Sequence, residues 1–307
     1  MKVLVTGGCG FIGSNIAEAL VAEGHEVVIL DNFFLGRTGN IETIKDQVTL
    51  VKGDIRDEKL VMEIMDGVGS VIHQAAASSS GMFRSDLKGA VAINVDGTIN
   101  LLNAAKEKNV KRFIYASTSS IYANNQPPLR EDMFVLPPNF YAATKLEKEY
   151  LAAIFSQDYG LETVGLRYMS VYGPHEEGKG IYANLVTQFL WSMQKGEQPV
   201  VYGDGRQTRD FTYVKDIVQA NMLAMTVKKK MLGRIFNVGT GTSHSLVELV
   251  SIINKILGTD IQPKYADIPV KGYILTQRAD ISRISETLDY KPRYSLESGI
   301  KDMLALS

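Results

Sequence analysis

The stretch Val5-Thr-Gly-Gly-Cys-Gly-Phe-Ile-Gly-Ser14 decides the fold. It follows an apolar run, Lys2–Thr6, that reads as a strand, and it leads into an amphipathic segment, Ile12–Glu23, that reads as a helix. The glycines therefore stand at a strand-to-helix turn. They match two dinucleotide-binding spacings at once, Gly8-x-Gly10-x-x-Gly13 and Gly7-x-x-Gly10-x-x-Gly13. Such glycines let the backbone turn tightly and approach a pyrophosphate, while the helix N-terminus offers it unpaired N–H groups. Asp31 ends the second predicted strand about twenty residues on, where a carboxylate accepts from both ribose hydroxyls. That carboxylate would repel a 2′-phosphate, so the expected cofactor is NAD rather than NADP. Arg37, in the loop that follows, pulls the other way.

Outward from this turn, short β-branched runs alternate with longer amphipathic segments. Strands are predicted at Lys2–Thr6, Glu26–Leu30, Thr49–Lys52, Ser70–His73, Arg112–Ala116 and Glu162–Arg167. Helices are predicted at Ile12–Glu23, Glu58–Met65, Asp86–Lys108 and Tyr141–Tyr159. This is the pattern of a doubly wound parallel sheet in the α/β class. After Gly173–Pro174 the strict alternation stops. A helix is expected from Tyr182 to Lys195, another behind a Ser245/Glu248 capping box, and a closing one over Ser295–Leu306. The expected division is an NAD-binding domain over residues 1–173 and a smaller mixed α/β substrate region over 174–307, with some chain crossing back.

Bulk properties narrow the partners. The 307 residues are 45% hydrophobic, enough for a sizeable core. The 33 Lys and Arg against 34 Asp and Glu leave no excess of positive charge for a nucleic acid or a membrane surface. A small-molecule partner is expected. A lone cysteine, Cys9, forms no internal disulfide, and no Cys/His cluster has metal-ligand spacing. With no leader-like or membrane-spanning run, a cytoplasmic protein is expected.

Further candidates stand at predicted strand ends. Asp54 and Ile55 close the third strand, where they would meet an adenine, although Asp54 serves equally well as a helix cap. His73-Gln-Ala-Ala-Ala77 ends the fourth in small residues, as a close-lying cofactor requires, and His73 itself reads as structural. Tyr141 and Lys145 lie four apart on one helix face. An ammonium near a phenol stabilises the phenolate and makes it a general base. The fifth strand ends at Ser117-Thr118, on the side where ligands of such sheets bind.

Taken together, Gly7, Gly10, Gly13, Asp31, Asp54, the His73-Gln-Ala-Ala stretch, Asn94, Ser117-Thr118 before Tyr122, and Tyr141-x-x-x-Lys145 resemble the extended short-chain dehydrogenase/reductase superfamily. The resemblance covers essentially the whole chain. It is closest to nucleotide-sugar epimerases of the UDP-glucose 4-epimerase type, through Leu166–Pro174 and Val200–Ile217. It implies an enzyme that oxidises the hexose at C4 to a 4-keto sugar and returns the hydride to the other face. Thr118 would bind the reacting hydroxyl, Tyr141 would take its proton, and Lys145 would hold the nicotinamide ribose. The implied cofactor residues also include Phe11, Ile12, Asn32, Gln74, Ala75, Ala76 and Tyr168. The implied substrate residues are Ser119, Ser120, Ser170, Lys179, Asn184, Val200, Tyr202 and Arg209. Tyr202 also suits a core strand, and Arg209 a surface pair with Asp210. A homodimer through Asp86–Lys108 and Tyr141–Tyr159 is implied as well.

The pattern departs from its relatives in informative places. Eliminating relatives carry an Asp-Glu pair after the catalytic Thr, and decarboxylating ones a Glu; Ser119 and Ser120 stand there instead. A hydroxyl cannot do that acid/base work near neutral pH, so simple epimerisation is favoured. Ser170 replaces the usual Asn, and Pro269–Tyr273 lacks the usual Arg, for which Lys271 or Arg278 would compensate. The run Tyr172–Gly180 resembles ADP-glycero-manno-heptose 6-epimerases, in which the residue matching Lys179 is a second acid/base. C6 epimerisation is thus the alternative, or else Tyr172–Gly180 is a charged surface loop. A catalytically silent NAD-binding regulator is the third reading, disfavoured by an intact Thr118/Tyr141/Lys145 set.

Overall fold

The computed structural model describes residues 1–123, 125–268 and 273–306. Its centre is a parallel sheet of β1 (Lys2–Thr6), β2 (Glu26–Asp31), β3 (Val48–Lys52), β4 (Ser70–His73), β5 (Arg112–Thr118), β6 (Glu162–Tyr168) and β7 (Arg234–Val238). The strands lie in the order β7-β6-β5-β4-β1-β2-β3. The direction of winding reverses between β1 and β4, whose carboxyl ends meet where Thr6 pairs with His73. A crevice opens at such a reversal.

Side chains alternate along each strand, so each face has its own core. Val3, Val5, Ile72, Ile114 and Val164 pack with Ile16, Leu20, Ile217 and Ala220 of the helices Phe11–Ala22 and Val214–Thr226. Leu4, Val71, Phe113 and Tyr115 pack on the other face with Val61, Leu101, Leu102 and Ala152 of Glu58–Ile64, Asp96–Glu107 and Phe140–Tyr159. Each fully buried aliphatic side chain contributes roughly 1.5–3 kcal/mol. All seven residues of β5 are buried, which makes its end a rigid mount.

The structure departs from the sequence expectations in three places. β7 was not expected; the run Arg234–Val238 comes from beyond residue 174 and adds to β6. The helix expected over Asp86–Lys108 is divided at Val95 into Leu87–Asn94 and Asp96–Glu107. The helix expected from Tyr182 begins at Leu185, because the Asn184 side chain accepts from the Val186 N–H and caps it. Beyond residue 169, Ser170–Tyr172 pairs with Phe211–Tyr213, Thr208–Arg209 with His244–Ser245, and Val200–Tyr202 with Lys264–Ala266. The Ser245/Glu248 capping box forms, and Ser295 caps the closing helix Leu296–Ala305. Among the described residues, no helix is long and apolar enough to cross a membrane.

Candidate active site

A cleft of about 340 Å³ lies at the carboxyl ends of β1, β2, β4 and β5, within the range of cofactor sites. At one end stands the glycine turn. A Cβ on Gly7 would fall 2.7 Å from the Ala75 nitrogen, and one on Gly13 would fall 2.1 Å from the Gly7 oxygen. Only glycine lets the turn press so closely on the β4 end and the helix start. Phe11 and Ile12 open the helix, and no side chain caps it. Its first N–H groups are therefore left for an anion.

Asp31 borders the same end. Its carboxylate accepts from the N–H groups of Cys9 at 2.9 Å and Phe33 at 2.8 Å, which fix its orientation. Burial raises its pKa, opposed by those two hydrogen bonds. Asn32, Asp54 and Ile55 complete this wall. The Asp54 carboxyl, bonded by Arg56 and Asn32, is held down at about 2. The helix cap is Asp57, which accepts from the Leu60 N–H, so Asp54 does not serve as one. These parts fit a dinucleotide: glycine for a close backbone, free N–H groups for its pyrophosphate, and a carboxylate for its ribose.

Gln74, Ala75 and Ala76 line the middle of the cleft. Asn94, expected among the cofactor residues, does not reach the wall. Its amide bonds both backbone groups of Ala77 at 2.8 and 3.1 Å and the Thr144 hydroxyl at 3.0 Å, so it holds that wall in place. His73 is wholly buried, bonded to Thr6 and to the Lys148 amine, as a structural histidine. Burial and the nearby Lys148 and Lys145 push its pKa well down. Tyr168 also lines the cleft, its hydroxyl accepting from Asn221 at 2.8 Å and Gln74 at 3.0 Å.

At the other end Thr118, Tyr141 and Lys145 converge. Asn139 caps the helix Phe140–Tyr159 by accepting from the Ala142 N–H, which places Tyr141 and Lys145 in its first turns. Lys145 Nζ donates to the Ala116 carbonyl at 3.1 Å. Burial alone lowers the lysine to about 8. Burial raises the Tyr141 phenol, and a hydrogen bond with Thr118 draws it partly back.

The other hydroxyls of this strand end have separate tasks. Ser117 donates to Glu149, which also takes Arg167 in a two-point pair at 2.9 and 2.7 Å, all of it buried. Ser119 accepts from Gln277 at 2.9 Å, and Gln277 accepts from Ser170 at 3.1 Å. Gln277 was not singled out in the sequence, because "TQRADI" carries no recognisable spacing. Ser170 lines the cleft; Ser119 and Ser120 stand behind Thr118, and the Ser120 N–H donates to the Thr118 hydroxyl at 3.1 Å.

Val200, Tyr202 and Arg209 are not brought to this wall. Tyr202 and Arg209 group with Gln207 and Tyr273, the Arg209 guanidinium lying 5.3 Å from the Tyr273 ring, while Val200 is exposed on the strand that pairs with Lys264–Ala266. Arg209 does not pair with Asp210. The Asp210 carboxylate takes backbone N–H groups of Thr240, Gly241 and Ala279, while among the described residues Arg209 donates to the Thr208 carbonyl alone. Arg209 is nonetheless buried, and burial lowers its pKa. Lys271 lies outside the described residues; Arg278 is exposed. Lys179 and Asn184 do line the cleft, with His175 and Tyr182 beside them. Glu176 is fully buried, so the run Tyr172–Gly180 is anchored rather than a bare surface loop.

Comparison with known proteins matches residues 3–239 to the model of the NAD dependent epimerase/dehydratase family. A solved UDP-glucose 4-epimerase from Thermotoga maritima, in complex with UDP-glucose, superposes with a TM-score of 0.93 at 32% identity, covering 99% of this chain and 98% of that one. A UDP-glucuronic acid 4-epimerase from Bacillus cereus, in complex with UDP-glucuronic acid and NAD, gives 0.91 at 30% identity, covering 99% and 98%. A UDP-N-acetyl-alpha-D-glucosaminuronate decarboxylase from Bacillus cytotoxicus is 33% identical over 99% of this chain and 96% of its own length.

Proposed function

The chain belongs to the NAD dependent epimerase/dehydratase family, and we propose that within it this protein interconverts the C4 epimers of a UDP-hexose or of its N-acetyl or uronate relative. It is an NAD-dependent epimerase. NAD, when bound, supplies a reversible acceptor for the hydride lost from the sugar carbon. Gly7, Gly10, Gly13, Phe11 and Ile12 would hold its pyrophosphate, Asp31 a ribose, and Asn32, Asp54 and Ile55 the adenine side.

The chain's own residues do the proton work. Thr118 orients the sugar hydroxyl and shares a hydrogen bond with Tyr141. Tyr141, as phenolate, takes the hydroxyl proton and later gives it back. Lys145 supplies the positive charge that makes the phenolate accessible. Tyr168 backs the reacting end, and Ser170 with Gln277 walls the sugar. Arg209 is a buried cation with spare donors among the described residues, which suits a diphosphate; Tyr202 borders its cluster through Gln207, and Val200 lies two residues before Tyr202 on the same strand. We take residues 174–307, less β7, as the substrate half.

The observation that carries the reading is the distribution of acids. Among the described residues, the cleft wall holds two carboxylates, Asp31 and Asp54, both at the nucleotide end. Among the described residues, no carboxylate lines the wall beside Tyr141 and Thr118 to drive elimination or decarboxylation, the nearby Glu149 being buried and taken up by Ser117 and Arg167, although a decarboxylase is among the relatives. The test is a panel of UDP-, ADP-, GDP- and dTDP-sugars read by NMR without added NAD. The expected result is C4 epimers from a UDP-sugar; loss of carboxylate or water from the sugar would refute the reading.

A second copy would pack on the helix Phe140–Tyr159, where Tyr150 and Ile154 are one turn apart and more than half exposed. Ile154→Asp is expected to turn a dimer into a monomer in analytical ultracentrifugation. A cytoplasmic setting belongs to the same reading, resting on the lone Cys9.

A further inference from the structure

Residues 174–184 cross the mouth of the cleft and are tied to three of its borders. On the helix that opens the glycine turn, Asn15 donates to the Pro174 carbonyl at 3.3 Å, and Ser14 bonds His175 at 2.9 Å. On the loop after β2, Arg37 donates to the Glu177 carbonyl at 3.3 Å, and a Cβ on Gly178 would fall 2.3 Å from the Leu35 oxygen. On the loop after β4, the Tyr182 ring lies so close that a Cβ on Gly81 would fall 2.6 Å from it. The strap is anchored from inside by Glu176. That buried carboxylate accepts from Lys179 at 2.8 Å, from the Asn184 N–H at 3.0 Å and from the Thr187 hydroxyl.

Glu176 thereby aims Lys179. The ammonium sits 5.1 Å from the ring centroid of Phe11, the residue that opens the uncapped helix. One of its three N–H donors goes to Glu176, which leaves two. Among the described residues, the cleft wall carries two lysines and no arginine. Lys145 is committed beside Tyr141, at the reacting end. A dinucleotide pyrophosphate is a dianion, and a helix N-terminus offers it only about half a positive charge. The Asp31 carboxylate shares that end of the cleft.

We propose that Lys179 is a cofactor residue, a ligand of the dinucleotide's pyrophosphate carried on a strap that slows its release, and not a second acid/base acting on the sugar. The proposal rests on the reading that this cleft holds NAD. It goes beyond that reading in giving the strap a task, cofactor retention. An enzyme that reoxidises its cofactor in every cycle gains nothing by letting it go.

The test uses the purified full chain, Lys179→Met, Lys179→Arg and Gly178→Ala. Bound NAD is released by denaturation and assayed, and its dissociation rate is followed after dilution into an NAD-consuming enzyme. Lys179→Met is expected to release NAD about tenfold to a hundredfold faster, as for loss of a charge-assisted hydrogen bond, to be isolated with less of it, and to regain activity when NAD is added. Lys179→Arg should retain NAD. Gly178→Ala keeps Lys179 but displaces the strap from Leu35, and should also release NAD faster. A Lys179→Met protein with normal NAD content and release would overturn the proposal, and loss of its activity would then place Lys179 on the sugar. Wild-type protein that neither carries nor takes up NAD would instead sink the underlying reading.

Discussion

Lys145 Nζ lies 5.9 Å from the ring centroid of Tyr141, one helical turn away and inside the protein. Burial moves the two groups in opposite directions, the lysine down to about 8 and the phenol above its usual 10. The proposed mechanism needs the phenol deprotonated and the amine protonated, the reverse of what each prefers when buried.

That reversal sets a pH profile. Below about 8 the amine is charged, so kcat/KM should rise with pH as the phenolate accumulates. Above it, each gain in phenolate is matched by a loss of ammonium, and the curve should bend to a plateau. In Lys145→Arg the guanidinium keeps its proton, so the bend near 8 should vanish even if the rate falls. A bend that stays put in this variant would show that it belongs to another group.

Tyr141→Phe removes the proposed base but not the ring that packs 6.2 Å from Phe83. The rate should fall by about 10²- to 10⁴-fold, with NAD content and thermal midpoint unchanged. A rate within threefold of wild type, read by the same NMR assay, would remove Tyr141 from the chemistry.

Gln277 joins Ser119 to Ser170 on the proposed substrate side. Gln277→Ala should raise KM about tenfold, the equivalent of one net hydrogen bond, with a smaller change in kcat. Steady-state kinetics decides, since an equal fall in kcat alone would mean that Gln277 serves the transition state.

Glu149 holds Ser117 and Arg167 in a site where neither the acid nor the guanidinium reaches water. Glu149→Gln leaves the Arg167 charge without its carboxylate. A buried pair broken from one side costs about 3–5 kcal/mol, so urea unfolding should show a loss of that order. A change under 1 kcal/mol would mean that Tyr122 and the Glu131 carbonyl, which also accept from Arg167, suffice for it.

The glycine turn, the six earlier strands and the Tyr141/Lys145 pair were legible because each rests on local spacing. A turn needs glycine where its backbone touches Ala75, and a helix puts residues four apart on one face. β7 was hidden because Arg234–Val238 joins the sheet from the irregular half, through a contact with β6 that no local period announces. Asn94 is a cofactor residue only by the family resemblance, and its amide is engaged by Ala77 and Thr144 instead. Gln277 was invisible for the same reason as β7, since its partners are 158 and 107 residues away. The run Tyr172–Gly180 reads from the sequence either as a second acid/base or as a charged surface loop, because the sequence does not show which of its charges is buried, and Glu176 is.

The central claim is epimerisation at C4 by removal and return of the same hydrogen. The most direct measurement is turnover of the active UDP-sugar in D2O by enzyme as purified, with the product read by proton NMR and mass. The account predicts the C4 epimer with ordinary hydrogen at C4 and no gain in mass. Deuterium at C4 or C5, or an epimer formed at another carbon, would contradict it.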